Sequence, residues 1–435
     1  MKRALAITLS AMSLLGCYVD PCGGCHDAGP TPDAYRVPPP LEPFPTVDEL
    51  PERTEIPALF ESFDGTRTVE TEEDWQGWRR EELLELFSFY LYGYTPDRPI
   101  AVSSTRLLSE PDFLPGVAAY EEHEITLAGL ATRIHVSLFL PVGVESPPVF
   151  VAPNRCGNQE VSTDARIRGT TAWFGEDCGD VLDDTRGVRA SQWPIEAITR
   201  AGFAFAAFHE SELDPDGAGD DFGDGIHLEL IDEARDPRLR WGRLAAWAWG
   251  VSRVVDFLVP SRLVDPSRIA VVGHSRRGKM ALLAGARDPR IAMVIAHQSG
   301  TGGAALTHVD APGSESVFAI NTIFPTWFDD VYPTFADEET RLPIDQHMLI
   351  AMSAPRLVLV TDGSEDLRAE PTSAVQAVEL AEPAWALHGA TGIVRSPDGT
   401  HALEGNLAWR VRPGDHALTH DDWTTFLAFA RAHWP

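Results

Sequence analysis

Apolar residues along this chain occur in two patterns, short continuous runs and longer stretches in which they recur every three or four positions. The runs are rich in Val, Ile, Ala and Phe. They predict buried strands, because a strand covered on both faces has few polar positions. The periodic stretches predict amphipathic helices. The predicted strands are 148–152, 203–208, 268–272, 291–296 and 356–360, and the predicted helices are 75–92, 193–201, 244–258, 280–286 and 422–433.

The order of these elements predicts the fold class. Strands and helices alternate from residue 148 onwards, which is typical of an α/β protein with a mostly parallel sheet and helices on both faces. Residues 125–141 instead alternate apolar and polar side chains through a turn at Gly129, which predicts an antiparallel hairpin at the sheet edge. We therefore expect a three-layer α/β sandwich.

The first residues resemble an export signal. Two basic residues precede an apolar run that is too short to span a bilayer and ends in Leu-Leu-Gly-Cys at Cys17, similar to a bacterial lipobox. We expect 1–17 to be a signal peptide with lipobox, and Cys17 to carry the lipid anchor. Ordinary cleavage and secretion is the alternative, and both place the protein outside the cytoplasm. Residues 18–51, rich in Pro, Gly and Asp, predict a tether before one large domain, 52–435.

The five cysteines fit an oxidising compartment. Cys22 and Cys25 lie in a Cys-x-x-Cys-His pattern that also matches c-type haem attachment, but no packed domain surrounds it, so a local disulfide is the simpler interpretation. With Cys17 lipidated, Cys156 and Cys178 remain for a second bridge. The sequence leaves the connectivity open.

The formal net charge of −30 and the pI near 4.7 disfavour binding to nucleic acid or to an anionic membrane through a basic patch. We expect no nucleic-acid partner, membrane contact only through Cys17, and a monomer. The acidic loop 214–225 has the oxygen density for Ca²⁺ but lacks the bidentate glutamate of a known calcium loop. A solvated loop is the favoured interpretation and an active-site rim the alternative, so we expect neither metal nor cofactor.

Candidate chemistry centres on Ser275. The apolar run 268–272 is followed by Gly-His-Ser and then directly by a predicted helix. This strand, turn and helix are what a nucleophile elbow requires, because the turn exposes the serine hydroxyl above the sheet. The usual Gly-x-Ser-x-Gly pattern is altered, with Arg277 at the second position after the serine and Gly278 at the third. A serine that merely caps the helix is the structural alternative.

A nucleophilic serine needs a histidine base and a carboxylate that orients the histidine. In α/β-hydrolases these residues follow in the order serine, acid, histidine. The loop after the predicted strand 356–360 contains Glu365 and Asp366, and we favour Asp366 with Glu365 as the alternative. His416 lies in a later loop just before the last predicted helix and is the candidate base.

These residues carry a family resemblance. Residues 273–279 read Gly-His-Ser-Arg-Arg-Gly-Lys, which resembles the Gly-Cys-Ser-Arg-x-Gly-Lys signature of the glucuronoyl esterases, carbohydrate esterase family 15. The resemblance covers the chain from about Trp75 to its end and implies an α/β-hydrolase catalytic domain over 52–435. Other segments similar to the bacterial branch of the family are 241–250, 299–305, 324–328, 342–347 and 414–416.

The resemblance implies a serine esterase that cleaves esters between glucuronic acid groups of xylan and lignin alcohols, with a glucuronoxylan or lignin–carbohydrate ester as its partner. Carried over by position, Ser275 is the nucleophile, His416 the base and Arg276 an oxyanion-hole residue. Lys279, one helical turn beyond Ser275, would contact sugar hydroxyls, and Trp327 would lie near the mouth of the site. An acetyl xylan esterase and a non-catalytic carbohydrate-binding relative are the alternatives.

Two departures from the family pattern concern the same site. Many members have the catalytic acid as glutamate in Glu-Ser-Gly, where this chain has Gln298. Because glutamine holds no charge, the triad acid is expected from the later loop, which favours Asp366. Where the bacterial branch often has a tryptophan implicated in sugar binding, this chain has Arg368. We expect Gln298 and Arg368 among the substrate-binding residues.

Overall fold

The computed structural model describes residues 44–96, 99–217, 224–230, 241–309, 311–395 and 401–435, together with the short strands Tyr18–Val19 and Cys25–His26. The chain divides into two compact units, 1–36 and 37–435. In the first unit the two short strands pair antiparallel. The predictions for Cys17 and for a disulfide between Cys22 and Cys25 concern side chains outside the described residues.

The second unit is built on a nine-stranded sheet. Numbered along the chain, the strands are β1 Val102–Leu114, β2 Ala118–Leu127, β3 Arg133–Pro141, β4 Val149–Asn154, β5 Ala204–His209, β6 Ile269–His274, β7 Met293–His297, β8 Leu357–Gly363 and β9 Leu407–Arg412. Across the sheet their order is β9-β8-β7-β6-β4-β5-β3-β2-β1. Strands β4 to β9 run parallel, whereas β1, β2 and β3 are antiparallel and form one edge.

Helices connect the parallel strands. The α-helices are α1 Glu72–Asp74, α2 Arg80–Phe87, α3 Ile195–Arg200, α4 Gly225–Leu230, α5 Arg243–Ser261, α6 Arg276–Arg287, α7 Val317–Ile323, α8 Gln346–Ala351, α9 Pro371–Leu387 and α10 His420–His433. The π-helical turn Trp75–Arg79 joins α1 to α2, and the π-helical turn Ser88–Tyr92 continues α2, which gives the single helical segment predicted at 75–92. A further short strand pair is Val394–Arg395 with His401–Ala402. The 3₁₀ turns are Val47–Glu49, Asn158–Val161, Glu176–Cys178, Leu182–Thr185, Ala190–Gln192, Glu210–Glu212, Tyr332–Phe335 and Glu339–Arg341.

The sheet separates two hydrophobic clusters. In β4, Val149 and Val151 belong to one cluster and Phe150 and Ala152 to the other, because successive strand side chains point to opposite faces. Helices α5, α6, α8 and α9 contribute to the first cluster, and α3 and α10 to the second. The predicted three-layer sandwich is therefore confirmed.

The sheet edge shows what the pattern revealed and what it missed. The predicted hairpin is present as β2 and β3, which pair antiparallel. Strand β1 was not predicted, since most of its side chains are exposed and polar, as suits an edge strand. Packing also begins upstream of the predicted boundary at residue 51, because Phe44 and Leu50 are buried in the core.

None of the helices in the described segments combines the length and the apolar character needed to cross a bilayer.

Candidate active site

Ser275 lies at the sharp turn between β6 and α6. Its backbone has φ 61° and ψ −127°, a region that a residue with a Cβ adopts only when its surroundings impose it. The Ser275 amide donates to the carbonyl of His297 at 2.8 Å, which ties the turn to the neighbouring strand β7. This conformation is that of a nucleophile elbow rather than of an ordinary helix cap.

The displaced glycine of the elbow has a steric explanation. A Cβ at Gly273 would lie 2.0 Å from the carbonyl oxygen of Arg277, so the strand end has no room for a side chain. A Cβ at Gly278 would lie 2.9 Å from the Cβ of Ser299, because α6 passes close to the segment after β7. Close packing therefore requires glycine at the third position after the serine. Arg277 instead directs its guanidinium to Glu210, 2.5 Å away.

His416 and Asp366 form a hydrogen-bonded pair. The Nδ1 atom of His416 lies 2.6 Å from Oδ2 of Asp366. Asp366 follows β8 and its side chain is 3 % exposed, whereas that of His416 is 44 % exposed and accessible to a substrate. Glu365, the alternative acid, is exposed to solvent. Ser275 and His416 line the same two cavities, so the structure brings the three predicted triad residues together.

Gln298, the residue at the family's glutamate position, is buried and bonded to the loop that contains His416. Its Nε2 donates to the carbonyl of Asp415 at 2.7 Å, and its Oε1 accepts from the amide of Ala417 at 2.9 Å. The same oxygen lies 3.1 Å from Nε2 of His274. Burial and two neighbouring histidines lower the pKa of His274 well below its usual value, so this ring is neutral and donates from Nε2. The amide of Gln298 is therefore bonded to protein groups, although the residue lines a cavity.

Arg276, the predicted oxyanion-hole residue, is held by Asp216. Its Nη1 is hydrogen-bonded to the Asp216 carboxylate, which also accepts from Arg155 at 2.6 Å and from the indole of Trp327 at 3.0 Å. Burial disfavours the Asp216 anion, but Arg276, Trp327 and Arg155 outweigh burial and lower its pKa. The Arg276 guanidinium lies 4.4 Å from the Trp327 ring, which stacks on Phe324 at 3.7 Å.

The expectation of a solvated acidic loop is wrong for its first part. Asp216 is buried, and so is Asp214, which bonds Arg243 at 3.0 Å and pairs with His227. The active-site rim, the alternative interpretation, fits Asp216. The sequence signal for this part of the site was the position of Asp214 and Asp216 after the carboxyl end of β5. Their arginine partners could not be identified, because they lie far away along the chain. Within the described residues, no group of three or more His, Cys, Asp or Glu is placed to hold a metal ion.

One cavity beside Ser275, of about 370 Å³, is here called the Lys279 cavity. The Nζ atom of Lys279 donates to the carbonyls of Ser299 at 2.7 Å and Thr301 at 2.6 Å, and lies 3.8 Å from Glu315. Burial lowers the pKa of Lys279 to about 8. Arg368 donates to Glu315 at 3.0 Å. Sequence reasoning missed Glu315, since an isolated glutamate in a loop carries no motif.

Trp327 and Arg368 occupy different parts of this cavity wall. Trp327 is 3 % exposed, and its indole N–H is bonded to Asp216, so the ring contributes a buried wall. Arg368 is exposed at the rim. Both predicted residues therefore line the cavity that contains Ser275, as do Lys279 and Gln298.

A second cavity, of about 320 Å³, is here called the Arg155 cavity, and it shares Ser275, Arg276 and His416 with the first. Its wall carries Arg155 and Arg189, which both bind Asp177. The disulfide joins Cys156 to Cys178, as the remaining cysteines had suggested. These residues follow Arg155 and Asp177 directly, so the disulfide holds together the two segments that carry this ion pair.

Comparison with known proteins gives a consistent result. The family model described as "Glucuronyl esterase, fungi" matches residues 184–389. Carbohydrate esterase MZ0003, from an unknown prokaryotic organism, is 33% identical over 417 residues, which cover 93% of this chain and 94% of that protein. The 4-O-methyl-glucuronoyl methylesterase 1 of Phanerochaete chrysosporium is 32% identical over 214 residues, which cover 46% of this chain and 44% of the fungal protein.

Solved structures agree in fold as well as in sequence. A promiscuous CE15 esterase from the marine bacterial metagenome has a TM-score of 0.80 at 32% identity, covering 92% of this chain and all of that one (100%). A glucuronoyl esterase from Solibacter usitatus has a TM-score of 0.79 at 30% identity, covering 89% and 100% of the two chains. The predicted α/β-hydrolase fold is confirmed. The chain has a nucleophile elbow, is similar to a carbohydrate esterase over nearly its whole length and shares the fold of these structural neighbours. It therefore belongs to carbohydrate esterase family 15, the family of the glucuronoyl esterases.

Proposed function

We propose that this protein is a serine esterase that hydrolyses esters of glucuronic acid groups of xylan with lignin alcohols. The observation that carries the proposal is the 2.6 Å bond between His416 and Asp366 beside the strained turn of Ser275. A histidine held in one tautomer by a buried carboxylate is the base that a serine nucleophile needs. The names of the relatives, 4-O-methyl-glucuronoyl methylesterases among them, support the substrate class.

The reaction has two steps. His416 takes the proton from Ser275 as the serine oxygen attacks the ester carbonyl, and Asp366 stabilises the imidazolium. Arg276 and backbone amides of the elbow stabilise the oxyanion. The imidazolium then gives its proton to the departing alcohol as the C–O bond breaks. Water, activated by His416 in the same way, hydrolyses the acyl-enzyme to the free uronic acid.

The Lys279 cavity suits the sugar of the acyl half. Two of the three N–H groups of Lys279 donate to backbone carbonyls, which leaves the third for a substrate oxygen. Glu315 accepts hydrogen bonds from sugar hydroxyls, and Arg368 at the rim donates them. An acetyl group would contact none of these residues. The acetyl xylan esterase alternative therefore leaves the polar groups of this cavity without a role.

We also propose that the protein is exported, anchored through lipid on Cys17, and active as a monomer. The lipobox-like Leu-Leu-Gly-Cys sequence supports the anchor, and the disulfide between Cys156 and Cys178 suits an oxidising compartment. Metabolic labelling with a radioactive fatty acid should mark the wild type and not Cys17→Ser. Labelling of neither protein would contradict the anchor.

The deciding experiment compares hydrolysis of benzyl glucuronate and para-nitrophenyl acetate. We expect the wild type to hydrolyse the glucuronate ester, and Ser275→Ala and Asp366→Asn to lose ~1000-fold or more of kcat. Glu365→Gln is the matched control, because this neighbouring carboxylate is exposed, and it should stay near wild type. Acetate turnover alone would assign the protein as an acetyl esterase. Turnover of neither ester would favour the carbohydrate-binding alternative.

A further inference from the structure

The ring of His274 contacts two other histidine rings. His274 ends β6 directly before Ser275, and His297 ends β7 in register with it. The centroid of the His274 ring lies 4.7 Å from that of His416 and 5.1 Å from that of His297. Both separations are within the range of about 4.5 to 7 Å at which aromatic rings pack. The imidazole that serves as the base is therefore packed against a second imidazole.

We propose that His274 is a positioning residue for the base His416. Its ring packs against the imidazole that takes the proton from Ser275, and its Nε2 bonds, through Gln298, the loop that contains this imidazole. The inference rests on the proposed function, in which His416 acts on Ser275. It adds to the bond between His416 and Asp366 a ring contact and an indirect hydrogen bond.

The hydrogen bonds of Gln298 determine which nitrogen of His274 has the proton. Nε2 of the amide donates to the carbonyl of Asp415, so the amide oxygen is the atom that accepts from the N–H of Ala417. The same oxygen lies 3.1 Å from Nε2 of His274, which must therefore donate. His274 thus bonds the amide that holds the residues on both sides of His416.

His297 supports the same loop in the same tautomer. Its Nε2 lies 2.9 Å from the carbonyl oxygen of Ala417, which can only accept, so Nε2 donates. Its Nδ1 lies 2.8 Å from the hydroxyl of Thr361. Burial lowers the pKa of His297, although Asp422 at 3.6 Å acts in the opposite direction. Both rings that support the histidine loop are therefore neutral and donate from Nε2.

The neutral state of His274 matters for the base. Two imidazolium rings with centroids 4.7 Å apart would repel each other. Burial, His297 and His416 lower the pKa of His274 well below its usual value, so the proton taken from Ser275 stays on His416. The face of a neutral aromatic ring attracts a cation within about 6 Å. His274 is therefore compatible with the imidazolium that forms during the reaction.

The first test compares kcat and KM on benzyl glucuronate for variants that remove one or both contacts of His274. His274→Phe keeps a ring, His274→Gln keeps a donor near the position of Nε2, and His274→Leu removes both. We expect His274→Leu to lose ~100-fold of kcat with KM within ~2-fold, because a displaced base lowers the rate and not the binding of substrate. The other two variants should lose ~10-fold or less, since each keeps one contact.

His433→Leu is the matched control. His433 also packs on an aromatic ring, that of Phe429 at 4.9 Å, and its Nε2 lies 3.2 Å from the carbonyl oxygen of Leu403. It lies at the last residue of α10 and not at the site, so this variant should keep the kcat of the wild type.

The pH profile separates positioning from simple packing. The acid limb of kcat/KM reports protonation of the base in the free enzyme. It should move to lower pH by ~0.5 unit or more in His274→Leu, because an apolar side chain in place of the ring disfavours the imidazolium, and should stay in place in His274→Phe. The other charged or titratable groups that face the two rings, or face His297 behind them, are His297, Arg277, Asp366, Asp422 and Arg412. Equal losses of kcat in all three variants with an unchanged acid limb would overturn the proposal.

Nitrogen NMR of the histidine rings tests the arrangement without substrate. The His274 signals of the wild type, identified by their loss in His274→Phe, should show the Nε2–H tautomer and a neutral ring from about pH 8 down to 6. An Nδ1–H tautomer, or protonation of His274 in this range, would overturn the proposal. If the wild type hydrolysed no glucuronate ester, the proposed function would fail, and these spectra would still decide the state of His274.

Discussion

The side-chain amide of Gln298 binds the backbone on both sides of His416, donating to the residue before it and accepting from the residue after it. An amide can do both, whereas a carboxylate can only accept and would repel the carbonyl of Asp415. The glutamine at the family's glutamate position therefore bonds the backbone of the histidine loop. The carboxylate bonded to His416 is that of Asp366, and Gln298 bonds the loop that contains this histidine.

Gln298→Glu should lower kcat ~10 to 100-fold with little change in KM, because the base is displaced while the substrate cavity is kept. Steady-state kinetics on benzyl glucuronate would measure both constants. Gln376→Glu makes the same substitution on an exposed face of α9 and should behave as wild type. An unchanged kcat for Gln298→Glu would show that the loop is held by other contacts.

Asp216→Ala should destabilise the protein by about 3–5 kcal/mol, since it removes a buried carboxylate and leaves the half-buried Arg155 and Arg276 without their shared anion. It should also lower kcat, because Arg276 loses the group that positions it. Denaturant unfolding and ester hydrolysis would test the two effects. Glu196→Ala removes an exposed partner of Arg200 and should cost at most about 1 kcal/mol. Equal stability of the two variants would contradict the buried role of Asp216.

Binding of the glucuronate ester should weaken in alkaline solution. The ammonium of Lys279, whose pKa burial lowers to about 8, loses its charge as the pH rises through that value. KM should therefore rise by up to ~10-fold at pH 9, and Lys279→Met should show a high KM that no longer depends on pH. Burial is the largest cause of the lowered pKa, and the charged groups around Lys279 are Glu315, Arg276, Arg368 and Asp366. KM for para-nitrophenyl acetate is the internal control and should not follow the titration of Lys279.

Stability should change with pH in the opposite sense. Between about pH 8 and the ordinary Lys pKa of 10.5, the unfolded chain binds a proton at Lys279 that the folded protein has lost. The contribution of Lys279 to the free energy of unfolding therefore increases with pH across this window. Comparing unfolding of the wild type and Lys279→Met at pH 7.5 and 10 would measure it. A difference between the two proteins that does not depend on pH would contradict the lowered pKa.

Replacing both Cys156 and Cys178 by serine should lower the free energy of unfolding by about 3 kcal/mol, as expected for a link across 22 residues. The value of kcat/KM on benzyl glucuronate should also fall, since the link joins the segments that carry Arg155 and Asp177 on the wall of a cavity lined by Ser275. Denaturant unfolding and ester hydrolysis would test the two effects. An unchanged kcat/KM would show that this wall keeps its position without the disulfide.

The parts of the fold that follow from local sequence were predictable. Parallel strands such as β6 and β8 are continuous apolar runs, and the elbow combines such a run with glycine and serine in a fixed order. The antiparallel hairpin of β2 and β3 was predictable because apolar and polar residues alternate along 125–141. Strand β1 was not predictable, because an edge strand with a polar exposed surface lacks the pattern that marks a buried one.

The site was predictable where residues belong to a motif and not where they meet by folding alone. Ser275, Asp366 and His416 follow in the order that the hydrolase fold imposes. Asp216 and Glu315 gain their roles from arginine and lysine side chains on distant segments, Arg155 and Arg276 for the first and Lys279 for the second. The local sequence of Glu315 contains no signal, and that of Asp216 shows only that it follows the carboxyl end of a strand. Likewise, the sequence showed that Gln298 cannot be the acid but not that it holds a loop.

The Asp216 carboxylate touches both halves of the site at once. One oxygen accepts from Trp327 in the Lys279 cavity, and the other from Arg155 in the Arg155 cavity and from Arg276 between them. A mutation that moves one wall would therefore shift the other through this carboxylate. The two cavities are therefore coupled, and a variant selected for a change in one of them should also change what the other accepts.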